Sequence, residues 1–230
     1  MKATSSDHTN PDRSFIGLDA LDGLEVHCIR EDGVDPVKTK VEVGTYRGRS
    51  AVRMVNDDGL TAAGTPAGAQ SIAIVKDSEF GNGTIELDVV GRPREGAPPS
   101  TRGFVGIAFR VQEEGSRYES IYLRSTNGRA EDQLLRNHTT QYVSQPEFSW
   151  QRLRKENPGV YESYVDVDPV AWTKMKVVVD GSKARLHVND TDQPCLIVDD
   201  LKLGELRGKV ALWTGSNSDA FFSNLLIRRK

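Results

Sequence analysis

The chain has 230 residues, and 30 Lys and Arg against 33 Asp and Glu leave a formal net charge of -3. Such a balance excludes binding to nucleic acid or to an anionic membrane driven by bulk positive charge. The longest run without a polar side chain, Gly103 to Phe109, is far shorter than the ~18 apolar residues of a spanning helix, so no membrane segment is expected and the chain reads as soluble.

The first residues, MKATSSDHTN, lack the apolar stretch of a secretion signal. Residues 1–13 are expected to be a flexible N-terminus and 14–230 a single domain. Cys28 and Cys195 are too sparse for a disulfide framework and read as free thiols.

From there the dominant period is two, the mark of strands with one buried face. Runs that fit begin with Val37–Val43, Ala51–Val55, Ser71–Val75 and Gly83–Val90. They continue through Gly103–Val111, Tyr118–Leu123, Trp172–Val179, Ala184–Val188, Cys195–Val198, Lys209–Trp213 and Ala220–Ile227. Turn signals separate them, among them Asn56-Asp57-Asp58-Gly59, Phe80-Gly81-Asn82-Gly83 and Asp180-Gly181-Ser182. Many short strands at this spacing predict an all-β sandwich of two antiparallel sheets. The segment 125–169 interrupts the pattern and is too long for an ordinary connection. Its aromatics, including Tyr142, Phe148, Trp150, Tyr161 and Tyr164, argue for an ordered insertion loop that walls one face. Inside it, Ser149–Glu156 has an N-cap serine and an Asn157-Pro158-Gly159 stop, which predicts a short helix.

Strand phase sorts side chains by face. Val105, Ile107, Phe109 and Val111 point to the core, leaving Phe104, Gly106, Ala108 and Arg110 as a shallow floor with a charged edge. On the next strand Ile121 and Leu123 point inward, and Tyr118, Ser120, Tyr122 and Arg124 outward. Glu119 falls in core phase, which is costly for a carboxylate without a partner. It is either paired there, or shifted by a bulge, or placed at the exposed strand start beside Arg117. Between Arg102 and Arg154 there are eight arginines and no lysine, in a stretch that also holds Phe104, Phe109, Tyr118, Tyr122, Tyr142, Phe148 and Trp150. Aromatic faces, guanidinium forks and side-chain amides suit a pyranose, which has an apolar C–H face and a rim of hydroxyls. Together with the small net charge, this predicts a neutral carbohydrate ligand.

Gly106-Ile107-Ala108-Phe109-Arg110, Tyr118-Glu119-Ser120-Ile121-Tyr122-Leu123-Arg124, Gln141-Tyr142-Val143-Ser144-Gln145-Pro146 and Trp150-Gln151-Arg152-Leu153-Arg154 resemble the 3-keto-disaccharide hydrolase domain family. That family is a carbohydrate-active branch of the concanavalin A-like sandwiches. Trp172-Thr173-Lys174-Met175-Lys176-Val177, Val188-Asn189-Asp190 and Gly208-Lys209-Val210-Ala211-Leu212-Trp213 extend the likeness toward the C-terminus, and the last two are shared with laminin G-like modules generally. The resemblance implies a concanavalin A-like jelly roll with ligand on its concave face and a glycoside hydrolase or lyase activity on 3-keto-glycosides. There the C3 ketone acidifies the C2 proton, a base removes it, the C1 substituent leaves and water adds afterwards. On that reading Glu119 or His138 is the base and Arg124 or Arg110 the electrophilic partner. Tyr122, Gln141, Tyr142 and Trp150 orient the sugar. The alternative is a non-catalytic laminin G-like carbohydrate-binding or adhesion module using the same surface without a base.

Glu86-Leu87-Asp88-Val89-Val90-Gly91 is similar to the Glu-x-Asp-x-x-Glu strand of family 16 glycoside hydrolases, but Gly91 replaces the second glutamate and removes the acid that retaining hydrolysis needs. His27 and His187 lack ligand spacing, and no His, Cys or Asp cluster has metal-binding order. No cofactor is required by these patterns, while calcium is compatible with a concanavalin A-like fold, whose donors leave no readable motif.

Overall fold

The computed structural model describes residues 24–27, 31–56 and 70–230. The flexible terminus expected at 1–13, Cys28 and the Asp57-Asp58-Gly59 part of one turn signal lie outside the described residues. Where the period of two holds, strands form: β1 (Leu24–His27), β2 (Val34–Val37), β3 (Thr39–Tyr46), β4 (Arg49–Asn56), β5 (Gln70–Val75), β6 (Gly83–Pro93), β7 (Phe104–Val111) and β8 (Tyr118–Arg124). After β8 come helix α1 (Gln133–Asn137), β9 (Thr140–Gln145), helix α2 (Trp150–Glu156) and β10 (Glu162–Ser163). The chain closes with β11 (Thr173–Asp180), β12 (Lys183–Val188), β13 (Leu196–Val198), β14 (Lys209–Gly215) and β15 (Ser218–Arg229).

All pairings are antiparallel, and they build two sheets. One has the order β13-β12-β11-β6-β15-β4-β3, with β1 also on β15; the other runs β10-β9-β8-β7-β14-β5-β2. Alternate residues of facing strands fill the space between them. Ile85, Leu87 and Val89 of β6 and Met175, Val177 and Val179 of β11 come from one sheet. Val105, Ile107 and Phe109 of β7 and Ile121 and Leu123 of β8 come from the other. Each such side chain contributes about 2 kcal/mol by leaving water. The all-β sandwich of two antiparallel sheets is therefore the fold.

The insertion 125–169 is ordered, and it does more than wall a face. Its middle supplies β9 and β10, which extend the seven-stranded sheet past β8. Between them α2 packs on β9, anchored by buried Leu153 and started by Ser149, whose hydroxyl accepts from the Arg152 N–H at 3.4 Å. Asp132 caps α1 in the same way, accepting from the N–H groups of Leu134 and Leu135. The run expected as Val37–Val43 is split between β2 and β3 by Lys38, whose φ of 57° turns the chain from one sheet to the other.

Candidate functional site

One cross-strand row on the outer face of the seven-stranded sheet sets the site. Gln141 pairs with Tyr122, Tyr122 with Gly106, and Gly106 with Trp213. Gly106 contributes no side chain, so the rings on either side of it lean over the gap and stack. The Tyr122 and Trp213 centroids are 4.2 Å apart with planes 15° from parallel. Phe104, one pleat along, meets Tyr122 edge-on at 6.2 Å. These rings floor a cavity of about 410 Å³. Its walls come from the 98–102 loop, the 215–217 turn and the insertion, which brings Asn127, Leu135, His138, Trp150 and Arg154.

Charged groups are layered at the insertion side. Arg124, opposite Phe104 in the ladder, is buried and donates from Nη1 to the His138 carbonyl at 3.0 Å. Its Nη2 donates to Gln141 Oε1 at 3.1 Å and to the Tyr122 hydroxyl at 3.3 Å. Arg154, from the last turn of α2, forms a forked pair with Glu162 at 2.9 and 2.6 Å and lies 4.8 Å from the Trp150 ring centre. Arg124 approaches the same ring at 5.8 Å, so Trp150 is held by two guanidinium groups. Glu162, on β10 opposite Gln141, is the shared counter-charge, its side chain 3% exposed. Its Oε2 is 4.0 Å from Arg124 and 2.9 Å from His138 Nδ1, which nevertheless makes no well-aligned hydrogen bond. Burial holds the His138 imidazole below the ordinary histidine range, and Arg154 and Arg124 push the same way against the attraction of Glu162. Neutral imidazole is thus the form at neutral pH.

Asn127 adds an unmet valence. It is 2% exposed and lines the cavity; its Nδ2 donates to the His138 carbonyl at 3.2 Å, which fixes the amide, and its Oδ1 is buried without a partner. That oxygen is itself closed to solvent, so it lies behind the cavity wall.

Of the residues singled out in the sequence, Tyr122, Arg124, His138 and Trp150 line this cavity, and Gln141 backs it through Arg124. Three are placed elsewhere. Glu119 keeps its core phase and is 0% exposed, neither bulged outward nor beside Arg117 at a strand start. Its carboxylate accepts from the Tyr142 hydroxyl at 2.6 Å and the Leu203 N–H at 2.7 Å. Tyr142 therefore also faces inward, and its oxygen accepts in turn from the Lys202 N–H. Arg110 leaves the floor because two residues of β7, Phe109 and Arg110, stand against one of β14, Val210, where its φ is 53°, a bulge that throws the side chain to the end of the sandwich. Glu162, Asn127, Trp213 and Arg102 belong to the cavity region and were not read from the sequence as site residues. For Glu162 a signal existed: the Asn157-Pro158-Gly159 stop folds the chain back, which brings Arg154 and Glu162 together.

Burial raises the Glu119 carboxyl above its ordinary range, with the hydrogen bonds from Tyr142 and Leu203 opposing. A carboxyl whose folded value is raised binds its proton more tightly in the folded than in the unfolded chain. Its contribution to stability is then largest at low pH and falls as pH rises from the ordinary carboxylate value through the raised one. Glu119→Gln is expected to flatten that fall, measured by urea unfolding at stepped pH, and to leave ligand affinity at the outer cavity unchanged. Loss of affinity with an unchanged pH profile would instead return Glu119 to the site.

Among the described residues, no group of three or more His, Cys, Asp or Glu side chains could hold a metal ion, and no helix is long and apolar enough to cross a membrane. Cys195 is free and half-buried, its thiol pushed up to about 11 by burial.

No family model matches the sequence, and no curated relative matches it. Solved structures do. The carbohydrate binding module CBM66 from Bacillus subtilis is 14% identical, with a TM-score of 0.57 over 85% of this chain and 95% of that one. A protein of unknown function with a galectin-like fold, also from Bacillus subtilis, is 11% identical, with a TM-score of 0.54 over 86% of this chain and 91% of its own. The exoplasmic/lumenal domain of VIP36 in a Ca2+/Man-bound form is 10% identical, with a TM-score of 0.53 over 86% and 83%. At these identities the likeness is one of fold, and the chain has the sandwich shared by galectin-like and concanavalin A-like domains.

Proposed function

We propose that the protein is a carbohydrate-binding β-sandwich that holds a sugar in the cavity over Tyr122 and Trp213. The observation that carries this reading is the composition of the cavity: Phe104, Tyr122, Trp150 and Trp213 on one side, and guanidinium donors with Ser100, Ser216 and Asn217 on the other. A pyranose needs both, an aromatic surface for its C–H face and a mixture of donors and acceptors for its hydroxyls. The similarity to CBM66 and to the mannose-bound VIP36 domain supports the same class of ligand.

Trp150→Ala tests it; Trp150 is half-buried and packs on the edge of the core, so the variant's unfolding is measured beside its binding. Binding of a glycan panel by calorimetry is expected to find a ligand whose affinity drops about tenfold or more in the variant, the scale of one lost stacking contact with its hydrogen-bonded neighbours. A panel without any binder would end the reading.

A second reading, hydrolase or lyase action on 3-keto-glycosides, is favoured by one arrangement. His138, Glu162 and Arg124 converge, giving a neutral imidazole beside a guanidinium at one cavity. The imidazole would take the C2 proton and Arg124 would stabilise the enolate oxygen, while the C1 substituent departs. Incubation with 3-keto-glycosides in the same panel separates the two: cleavage lost in His138→Gln favours the enzyme, and binding without cleavage favours the module.

A further inference from the structure

The charges around the cavity do not balance. Arg102, Arg124 and Arg154 line it together with His138, and the lining contains no acidic residue. Glu162, packed behind them, is the carboxylate that Arg124, Arg154 and His138 share, and both of its oxygens are already engaged by Arg154. Three guanidinium groups thus face one carboxylate, on a chain whose total charge is -3. The small net charge of the whole sequence had pointed to a neutral ligand, but charge acts locally, and a cavity with low-dielectric walls concentrates the field of its own residues.

The donors are unequally spent. Arg124 uses both terminal nitrogens on His138, Tyr122 and Gln141, so it acts as a fixed positive floor. Arg154 gives Nε and Nη2 to Glu162 and keeps Nη1. Arg102 has no carboxylate partner among the described residues, and its one contact is a 3.5 Å approach of Nη1 to the Pro99 carbonyl. Its Nε and Nη2 are the open edge of a planar fork at the mouth of an aromatic cavity. Planar forks of this kind match a carboxylate in geometry as well as in charge.

Resting on the carbohydrate reading, we infer that the cavity selects an acidic glycan, one whose bound residue is a uronic acid with its carboxylate held by Arg102 and by the free nitrogen of Arg154. The ring of the same residue lies against Trp150 and Phe104.

The test is calorimetric titration with oligogalacturonate, oligoglucuronate and oligomannuronate, each beside its carboxyl-reduced counterpart, and with a sulfated neutral oligosaccharide. At least one uronate is expected to bind about tenfold or more tighter than its reduced form, the effect of one charge-assisted fork. That preference should shrink as salt rises, because the mouth of the cavity is open to solvent. Arg102→Gln is expected to remove the preference, so that the uronate and its reduced form bind the variant with affinities within about threefold of each other. Among the described residues the Arg102 side chain holds nothing beyond its weak approach to Pro99, and its carbonyl still accepts from the Thr126 N–H in the variant, so the structure is retained. Arg152→Gln, which removes the same charge from an exposed i,i+4 pair with Glu156 outside the cavity, should leave the preference intact. Equal affinity for a uronate and its reduced form, a preference for the sulfated sugar alone, or loss of preference in Arg152→Gln would each overturn the inference while leaving carbohydrate binding in place. Absence of binding to every saccharide overturns both.

Discussion

Arg110→Met is expected to lower the unfolding free energy by about 3 kcal/mol or more, with no direct effect on the cavity. Arg110 is 0% exposed, yet it is in no ion pair among the described residues; it is a hub for backbone carbonyls. Its Nε and Nη2 donate to the Gly81 carbonyl at 3.1 and 3.0 Å, and Nη2 also reaches the Gly181 carbonyl at 2.7 Å and Asn82 Oδ1 at 3.1 Å. Nη1 donates to the Gly204 carbonyl. One side chain therefore ties together the approach to β6, the β11–β12 turn and the segment before β14. Burial lowers the guanidinium from its ordinary value, but arginine starts so high that it stays charged. Methionine would fill much of the volume and satisfy none of the carbonyls, and each polar group left buried costs roughly 1–3 kcal/mol. Lysine is expected to rescue little, because a point ammonium cannot address three separated carbonyls. Urea unfolding checks the prediction; a variant of unchanged stability that lost ligand affinity would restore Arg110 to the floor of the site.

The same residue shows where sequence reading stops. Period two located most strands of the sandwich, since a half-buried strand must alternate, but not β1, β9, β10 or the body of β2, and it sorted β7 and β8 correctly as far as Phe109. At Arg110 a single positive φ reverses the phase, and arginine gives no warning of a left-handed position as glycine or asparagine would. Strand β9 escaped for the opposite reason. Both of its faces are covered, one by the core and one by α2, so Thr140–Gln145 shows no alternation of polarity to read. Glu119 was legible as a conflict, a carboxylate in core phase, and the conflict is real. What the sequence lacked was the partner, because Tyr142 and Leu203 reach it only through the register of β9 and the path of a distant loop. Site residues on one strand, such as Tyr122 and Arg124, could be paired by phase alone. Trp213 could not, since its place beside Tyr122 depends on which strand neighbours β7.

That neighbourhood makes Gly106 the most sensitive position of the site. Gly106→Ala is expected to cost about 3 kcal/mol and to weaken ligand binding more than tenfold. Its backbone does not lie in the left-handed region, so conformational freedom is not the reason; space is. A Cβ there would stand 2.4 Å from the Ile121 carbonyl oxygen and 2.5 Å from Tyr122 Cβ. The nearest of these contacts is with backbone, which no rotamer change can relieve, so β7 and β8 must move apart. The displacement carries Tyr122 with it, and the 4.2 Å stack on Trp213 is lost along with the hydrogen bond that Arg124 makes to the Tyr122 hydroxyl. Near-ultraviolet circular dichroism should report the loss of the ring pair even where the sheet survives. Gly44→Ala is the control, an added methyl on β3 with nothing within 4 Å, and should be neutral or slightly stabilising through the unfolded chain. If Gly106→Ala behaved like Gly44→Ala in both stability and binding, the cavity floor would not depend on the close approach of these two rings.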